Sequence, residues 1–369
     1  MDDFLVIGGG VIGLLTAREL AHAGAKVTIV EQGLCCREAS WAGGGIVSPL
    51  YPWRYSAPVT ALASAAQRAY PLLVASLLEE TGIDAELEQT GLLMLDAADE
   101  DEAFVWARDN GKVVERLDNT AIAEKEPGLS RKFDSGLWMP EIANVRNPRL
   151  GKALLASLQE HANVTIHEQT RAENFITGGG AHIKAVEVSH RGGTLQLVAS
   201  QYVITTGAWT GGILADLDVH LPVVPVKGQM LLFHSPRRLV NSIVLTEGRY
   251  VIPRRDNHLL VGSTLEPGSF DKEITDSARH SLLSSAHALL PELATLKVKQ
   301  QWAGLRPGAP DGVPYIGPVQ QFDNLHVNAG QYRNGLVLAP ASATLMADLL
   351  LRRQTAVDPA PYQPSREMT

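Results

Sequence analysis

Apolar residues follow two rhythms along this chain, and the change from one to the other marks its elements. Residues 4–7, FLVI, form a short apolar run of strand type, and over residues 14–23 the apolar positions repeat at helical spacing. A second run at 26–30 predicts the next strand. Helical periodicity returns over 60–81, over 147–161 where Asn147-Pro148 opens a new segment, over 275–290 and over 336–351. Short strands are predicted at 91–95, 164–167, 183–188, 195–198, 201–206, 223–233, 242–245, 249–253, 258–264 and 298–303. Glycines at 178–180 and 192–193 supply hairpin turns between some of them. The predicted class is α/β with a second, α+β part.

Gly8, Gly10 and Gly13 stand at G-x-G-x-x-G spacing between the first strand and the first helix. The first can make the tight turn, the second lets a pyrophosphate approach the backbone, and the third lets helix and strand pack closely. An anionic cofactor would then rest on unpaired N–H groups at the positive end of a helix dipole. Glu31 ends the second strand, where a carboxylate accepts hydrogen bonds from a ribose hydroxyl and repels a 2′-phosphate. Strand, glycines, helix, strand and acid together predict a dinucleotide site.

Composition narrows the class of partner. A net charge of −8 among 369 residues argues against nucleic acid and anionic membranes, and leaves small molecules and a cytoplasmic location as the expectation. The first apolar run follows Asp2 and Asp3, so it does not read as a signal peptide. Cys35 and Cys36 are the only cysteines, and their adjacency fits neither a disulfide framework nor a zinc site, so no metal is expected.

A plain nicotinamide domain would continue in regular alternation to about residue 150. This chain instead runs through ASWAGGGIVSP at 39–49, a small-residue loop able to lie along an extended cofactor, and then through acidic helical pieces and short strands. One ligand contacted near residues 10, 40, 170, 207 and 330 suits FAD. A nicotinamide-dependent reductase and a noncatalytic nucleotide-binding subunit are the rival classes.

The motifs GGGVIG with Glu31, REASWAGGGIVSPLYPWRY at 37–55, TTGAW at 205–209, PVKGQM at 225–230, YVIPR at 250–254, WAGLRPGAPDGVPYIG at 302–317 and GQYRNGLVLAP at 330–340 occur in this order over nearly the whole chain. In them the chain resembles the D-amino-acid oxidase family of FAD-dependent amine oxidoreductases, most of all its glycine-oxidising branch that serves thiamin biosynthesis. The resemblance implies a Rossmann-like FAD-binding domain discontinuous in sequence (1–85, 146–222 and 302–369) and a substrate domain (86–145 and 223–301) whose large antiparallel sheet roofs the flavin. It implies oxidation of glycine, sarcosine or small D-amino acids by hydride transfer to the flavin, with dioxygen as oxidant, and a homo-oligomer, a tetramer in the family. The near alternative is a D-amino-acid dehydrogenase that passes electrons to a quinone or a protein.

The resemblance assigns residues. Arg306 matches the arginine that binds the substrate carboxylate, Tyr250 the tyrosine whose hydroxyl completes that clamp, and Arg333 a second arginine at the flavin face. A planar guanidinium fork can hold both carboxylate oxygens, as a lysine cannot. The bland reading of Arg306 is a pair with a local acid such as Asp311. Cofactor contacts fall by motif on Gly8, Gly10, Val11, Ile12, Gly13, Glu31, Gln32, Ser40, Ala42, Gly43, Gly44, Gly45, Ala172, Thr206, Gly207, Trp209, Gly228, Gly304, Arg306, Gly330, Arg333, Asn334, Gly335 and Leu336. The helix that follows Asn334-Gly335 would aim its N–H groups at the pyrimidine end of the flavin. No cysteine lies beyond position 36, so FAD is expected to be noncovalent. Trp41, Tyr51, Trp53 and Tyr55 read mainly as packing, Gly248 as a residue that widens the pocket, and the proline-rich tail after Val357 as a disordered end or an extension on a neighbour.

Overall fold

The computed structural model describes residues 2–366, arranged on two large sheets and one small one. The first sheet runs in spatial order Tyr315–Pro318, Leu325–Ala329, Ala199–Ile204, Asp2–Ile7, Val27–Val30 and Val164–His167, parallel throughout except at its first pair. Side chains alternate across a strand, and the first strand shows the consequence. Phe4 and Val6 join a core with helices Val11–His22, Ala57–Thr81, Asn147–Gln159 and Gly335–Leu350, while Leu5 and Ile7 join another with Tyr202, Val186 and Val188. Val186 and Val188 come from a three-stranded sheet of Arg171–Ile176, Ala185–His190 and Gly193–Leu197. Covered on both faces, Val27–Val30 is buried at every position.

The second sheet is built around the long strand Val224–His234. Val298–Gly308 lies along one side of it. His258–Gly262 and Glu266–Pro267 share the other side. Arg249–Pro253, Ile243–Thr246, Leu92–Leu95, Ser135–Met139 and Glu115–Asp118 extend the sheet outward. Its pairings are antiparallel but for one. Ile243–Thr246 runs parallel to Leu92–Leu95, with Val244 opposite Leu93, and that pairing joins residues 86–145 to residues 223–301 in a single sheet. Helix Asp276–Leu289, capped by the Thr275 side chain on the Ala278 N–H, covers one face through Leu282, Ala286 and Leu289.

Three expectations need correction. The stretch 39–49 is not loop throughout, since Ala39–Ala42 forms one helical turn before the glycines. The strand predicted at 298–303 continues to Gly308, because Val224–His234 pairs with it along its whole length and overrides the local Gly and Pro signals. The tail is also packed: Tyr362 is 1% exposed with its hydroxyl donating to the Pro58 carbonyl at 2.7 Å, and Arg366 stacks 3.9 Å over the Tyr315 ring while pairing with Asp311. Residues 367–369 lie outside the described residues.

Among the described residues no helix is long and apolar enough to cross a membrane. A buried tail makes a direct prediction. Tyr362→Ala should cost about 3 kcal/mol of stability and lower the apparent Tm, measured by calorimetry of the FAD-loaded protein. A tail free in solvent would leave Tm unchanged.

Candidate active site

One cavity of about 520 Å³ runs between the two large sheets. Its first end is the glycine turn. Gly8 has φ +112°, and a Cβ there would lie 2.6 Å from the Thr205 carbonyl oxygen, while a Cβ on Gly13 would lie 1.9 Å from the Gly8 oxygen. Only glycine allows the turn and the close packing of helix on strand. Val11, at the helix N-terminus, donates its N–H to Ser40 Oγ at 2.9 Å. Glu31 is held by the Gly9 and Gly33 N–H groups, each at 2.8 Å. Burial raises its pKa, and these two bonds offset only part of that rise. A carboxylate has about four acceptor sites, so two bonds leave capacity for ribose hydroxyls.

At the other end the second sheet forms a roof, and glycines strip it of side chains where the chemistry requires room. Arg306 and Gly228 lie on adjacent strands, and a Cβ on Gly228 would come within 2.2 Å of Arg306 Nη1. The guanidinium therefore lies over bare backbone. It donates to Ser263 Oγ at 2.6 Å and to the Thr264 carbonyl at 3.2 Å, both neutral acceptors. Gly262 lies opposite both Tyr250 and Met230, and its bare backbone lets the Tyr250 hydroxyl contact Met230 Sδ at 3.4 Å. Burial and the like charge of Arg333 push the Arg306 pKa down, while Tyr250 beside it acts in the opposite sense. Asp311 does not pair with Arg306. It is occupied by Arg366 on the far side of the strand turn.

Most of the residues assigned by motif line this cavity: Gly8, Gly10, Val11, Ile12, Glu31, Gln32, Ser40, Gly43, Gly44, Gly45, Ala172, Thr206, Gly207, Trp209, Tyr250, Arg306, Arg333, Gly335 and Leu336. Six do not, and each has a packing reason. Gly13 packs on Gly8, and Gly228 makes room for Arg306. Gly304 faces Ala42, whose Cβ would be 2.4 Å from a Cβ on Gly304, so these two let the short helix approach the roof. Gly330 turns the chain at φ +83°, and Asn334 is 2% exposed, turned inward beneath the helix it caps. Gly248 is not at the cavity either. It completes the hairpin between Ile243–Thr246 and Arg249–Pro253 at φ +75° with open space around it, so it does not widen the pocket.

Residues 3–349 match the family profile of FAD dependent oxidoreductases. The chain belongs to that family. The oxidoreductase is 52% identical to a glycine oxidase of Pseudomonas aeruginosa over 364 residues, 99% of each chain. It is 49% identical to a glycine oxidase of Pseudomonas putida over 360 residues, covering 98% of this chain and 97% of the other. The crystal structure of glycine oxidase from Geobacillus kaustophilus superposes with a TM-score of 0.92 at 32% identity, over 100% of this chain and 99% of that one.

Several residues of this FAD-dependent oxidoreductase that shape the cavity were given no role by the motifs. Thr205 Oγ1 donates to the carbonyls of Ile7 at 3.0 Å and Gly8 at 2.8 Å, fixing the turn from behind. Asn147 donates to the Ser40 carbonyl at 2.9 Å and lines the cavity. Phe270 closes on Trp209 at 5.7 Å, and Lys272 bridges to Glu38 at 2.8 Å across the opening. Thr205 stood inside a quoted motif and was readable there; the others depend on chain crossings that no local pattern announces. Of the four aromatics read as packing, Tyr51 is 8% exposed, Trp41 stacks edgewise on Trp302 at 5.4 Å, and Trp53 donates to Asp99 at 2.7 Å. Tyr55 is set apart, since Arg333 and Asn334 both act on its hydroxyl.

Two variants separate the ends of the cavity. Glu31→Ala should weaken FAD binding about tenfold, read as the FAD Kd by fluorescence quenching, with turnover at saturating FAD nearly intact. Gly228→Ala should displace only the mobile end of Arg306, leaving Tm close to the parent and raising KM for the amino acid about tenfold or more, read by steady-state kinetics.

Proposed function

We propose that the chain is an amino-acid oxidase acting on glycine, with glycine, water and dioxygen consumed and glyoxylate, ammonia and hydrogen peroxide released. One observation carries the reading: a guanidinium with no acid partner among the described residues, placed beside a tyrosine at the roof of a cavity whose opposite end is a dinucleotide turn. The glycine oxidases that match the chain over nearly its full length support the choice of substrate.

The residues fit FAD. Bare backbone at Gly8 and Gly10, a helix N-terminus and a held carboxylate at Glu31 suit a pyrophosphate and a ribose, and the roof leaves room for a flat ring beneath Tyr250 and Arg306. FAD would be held noncovalently by Gly8, Gly10, Val11, Glu31, Ser40, Gly43 to Gly45, Gly207 and Gly335, and when bound it supplies the acceptor for a hydride from the substrate α-carbon. The chain's own part is orientation. Arg306 takes the substrate carboxylate through its paired N–H groups, replacing hydrogen bonds to neutral acceptors by bonds to an anion. Tyr250 swings its hydroxyl from the weak acceptor Met230 Sδ to the same carboxylate. With the carboxylate fixed, the α-carbon has one approach to the reacting face, which is the kind of restriction that converts binding into rate. Arg333, exposed at the cavity, adds a second positive charge that draws the anion in. The N–H groups of Gly335 and Leu336 present the positive helix end to the cavity.

A cytoplasmic location accompanies this reading, in keeping with the acidic composition of the chain, and the resemblance to the family adds a homo-oligomer of four subunits.

The test is peroxide formation by the FAD-saturated protein in air with glycine, sarcosine, D-alanine and D-proline. Turnover best with glycine is expected. Anaerobic bleaching of the flavin by one of them, with no peroxide in air and fast reoxidation by a quinone analogue, would replace the oxidase by a dehydrogenase.

A further inference from the structure

Arg254 closes the motif that begins at Tyr250, and its side chain has no part in the chemistry described above. It is 4% exposed. Its backbone is fixed by a turn in which Arg254 N–H donates to the His258 carbonyl at 2.9 Å and its carbonyl accepts from Asn257 at 3.2 Å. From there the guanidinium reaches away from the sheet to three acceptors. Nη1 donates to Asn144 Oδ1 at 2.6 Å and to the Val145 carbonyl at 3.0 Å, and Nη2 donates to the Gly44 carbonyl at 2.8 Å. All three are neutral. The nearby acids are engaged elsewhere: Glu86 with Arg146 and Arg149, Asp256 with Arg146 and His258, Glu88 with Arg255. Burial and the like charge of Arg146 bring the Arg254 pKa down to about 10, against the opposing pull of Glu86, Glu88 and Asp256.

A charge buried among neutral acceptors is an expensive way to join two segments, so the geometry it achieves is informative. Gly44 belongs to the cavity wall, and a Cβ there would lie 2.7 Å from Ile252 Cδ1 and 3.2 Å from Tyr250 Cε2. The wall thus touches the strand that leads into Arg254. Val145, the second acceptor, donates its own N–H to the Gly45 carbonyl at 2.8 Å, and Gly45 has no room for a side chain, since a Cβ would lie 2.0 Å from the Val145 oxygen. Three stretches meet at one guanidinium: the glycine wall, the crossover at Asn144 and Val145, and the Tyr250 strand. Five donors on a rigid planar fork can serve carbonyls in several directions at once, which neither lysine nor glutamine can do.

We propose that Arg254 is a positioning residue: it locks the Gly43 to Gly45 wall against Tyr250, and so sets the distance between the cofactor side of the cavity and the carboxylate clamp. The inference rests on the amino-acid oxidase reading, which turnover by the unsubstituted holoenzyme decides separately. If a different small amino acid proves to be the substrate, the same comparison is made with that compound.

The experiment compares FAD-loaded wild type, Arg254→Met and Arg254→Lys by steady-state kinetics and by the absorbance of the bound flavin. Arg254→Met should raise KM for glycine about tenfold to a hundredfold with a much smaller change in kcat, and should shift the visible flavin bands. Arg254→Lys should recover part of the KM and not all of it. A lowered Tm with unchanged KM and unchanged flavin spectrum would make Arg254 an ordinary structural residue and overturn the proposal. Should Arg254→Met fail to yield folded holoenzyme, Asn144→Ala, which frees one arm of the fork, carries the test with Arg254→Lys. A raised KM with a shifted spectrum in either supports the role, and parent values in both reject it.

Discussion

A guanidinium lying on bare backbone organises this molecule. Arg306 can rest over Gly228 only because that residue has no side chain, and its hydrogen bonds go to neutral oxygens. A desolvated cation held in this way is not at its lowest free energy until an anion arrives. The rest of the roof serves the same condition. Gly262 brings Tyr250 and Met230 together, and Gly304 lets Ala42 approach so closely that the nucleotide side of the cavity is carried up to the clamp. Trp302 adds a hydrogen bond to the Ala42 carbonyl at 3.0 Å, which ties the short helix to the second sheet at that point.

Charge is distributed along the cavity by function. Acids gather near the nucleotide end, where Glu31, Glu38 and Glu173 line the wall, while Arg306 and Arg333 face the space under the roof. Asp311, the acid nearest to Arg306 in sequence, pairs instead with Arg366.

How much of this was legible in the sequence depends on whether a contact is local. The glycine turn, Glu31 and most strands follow from residues close together in the chain, where apolar period and turn chemistry decide the outcome. Arg249–Pro253 was readable to the residue. Val298–Gly308 was not, because Gly304, Pro307 and Gly308 imitate a turn and only pairing with Val224–His234 keeps them extended. The cofactor motifs have a similar ambiguity. A glycine that touches a ligand and a glycine that admits a neighbouring side chain are the same letter, which is why Gly228 and Gly304 were grouped with Gly10 although they support the site from behind. Asn147 marked a helix start and Arg254 closed a motif, but what these two and Ser263 hold was not announced locally, since each acts across a crossing of segments far apart in sequence.

The central claim is that Arg306 waits for a carboxylate, and titration with glycolate tests it without turnover, because glycolate has the carboxylate of glycine and lacks the amine. The measurement is the difference absorbance of the bound flavin in the FAD-loaded protein, wild type against Arg306→Leu. Loss of one charge-assisted bidentate pair, about 1.5–3 kcal/mol, predicts saturable binding to wild type and an affinity at least about tenfold weaker in the variant, with FAD retained by both. Equal glycolate affinity in the two proteins would contradict the account and move the carboxylate site away from Arg306.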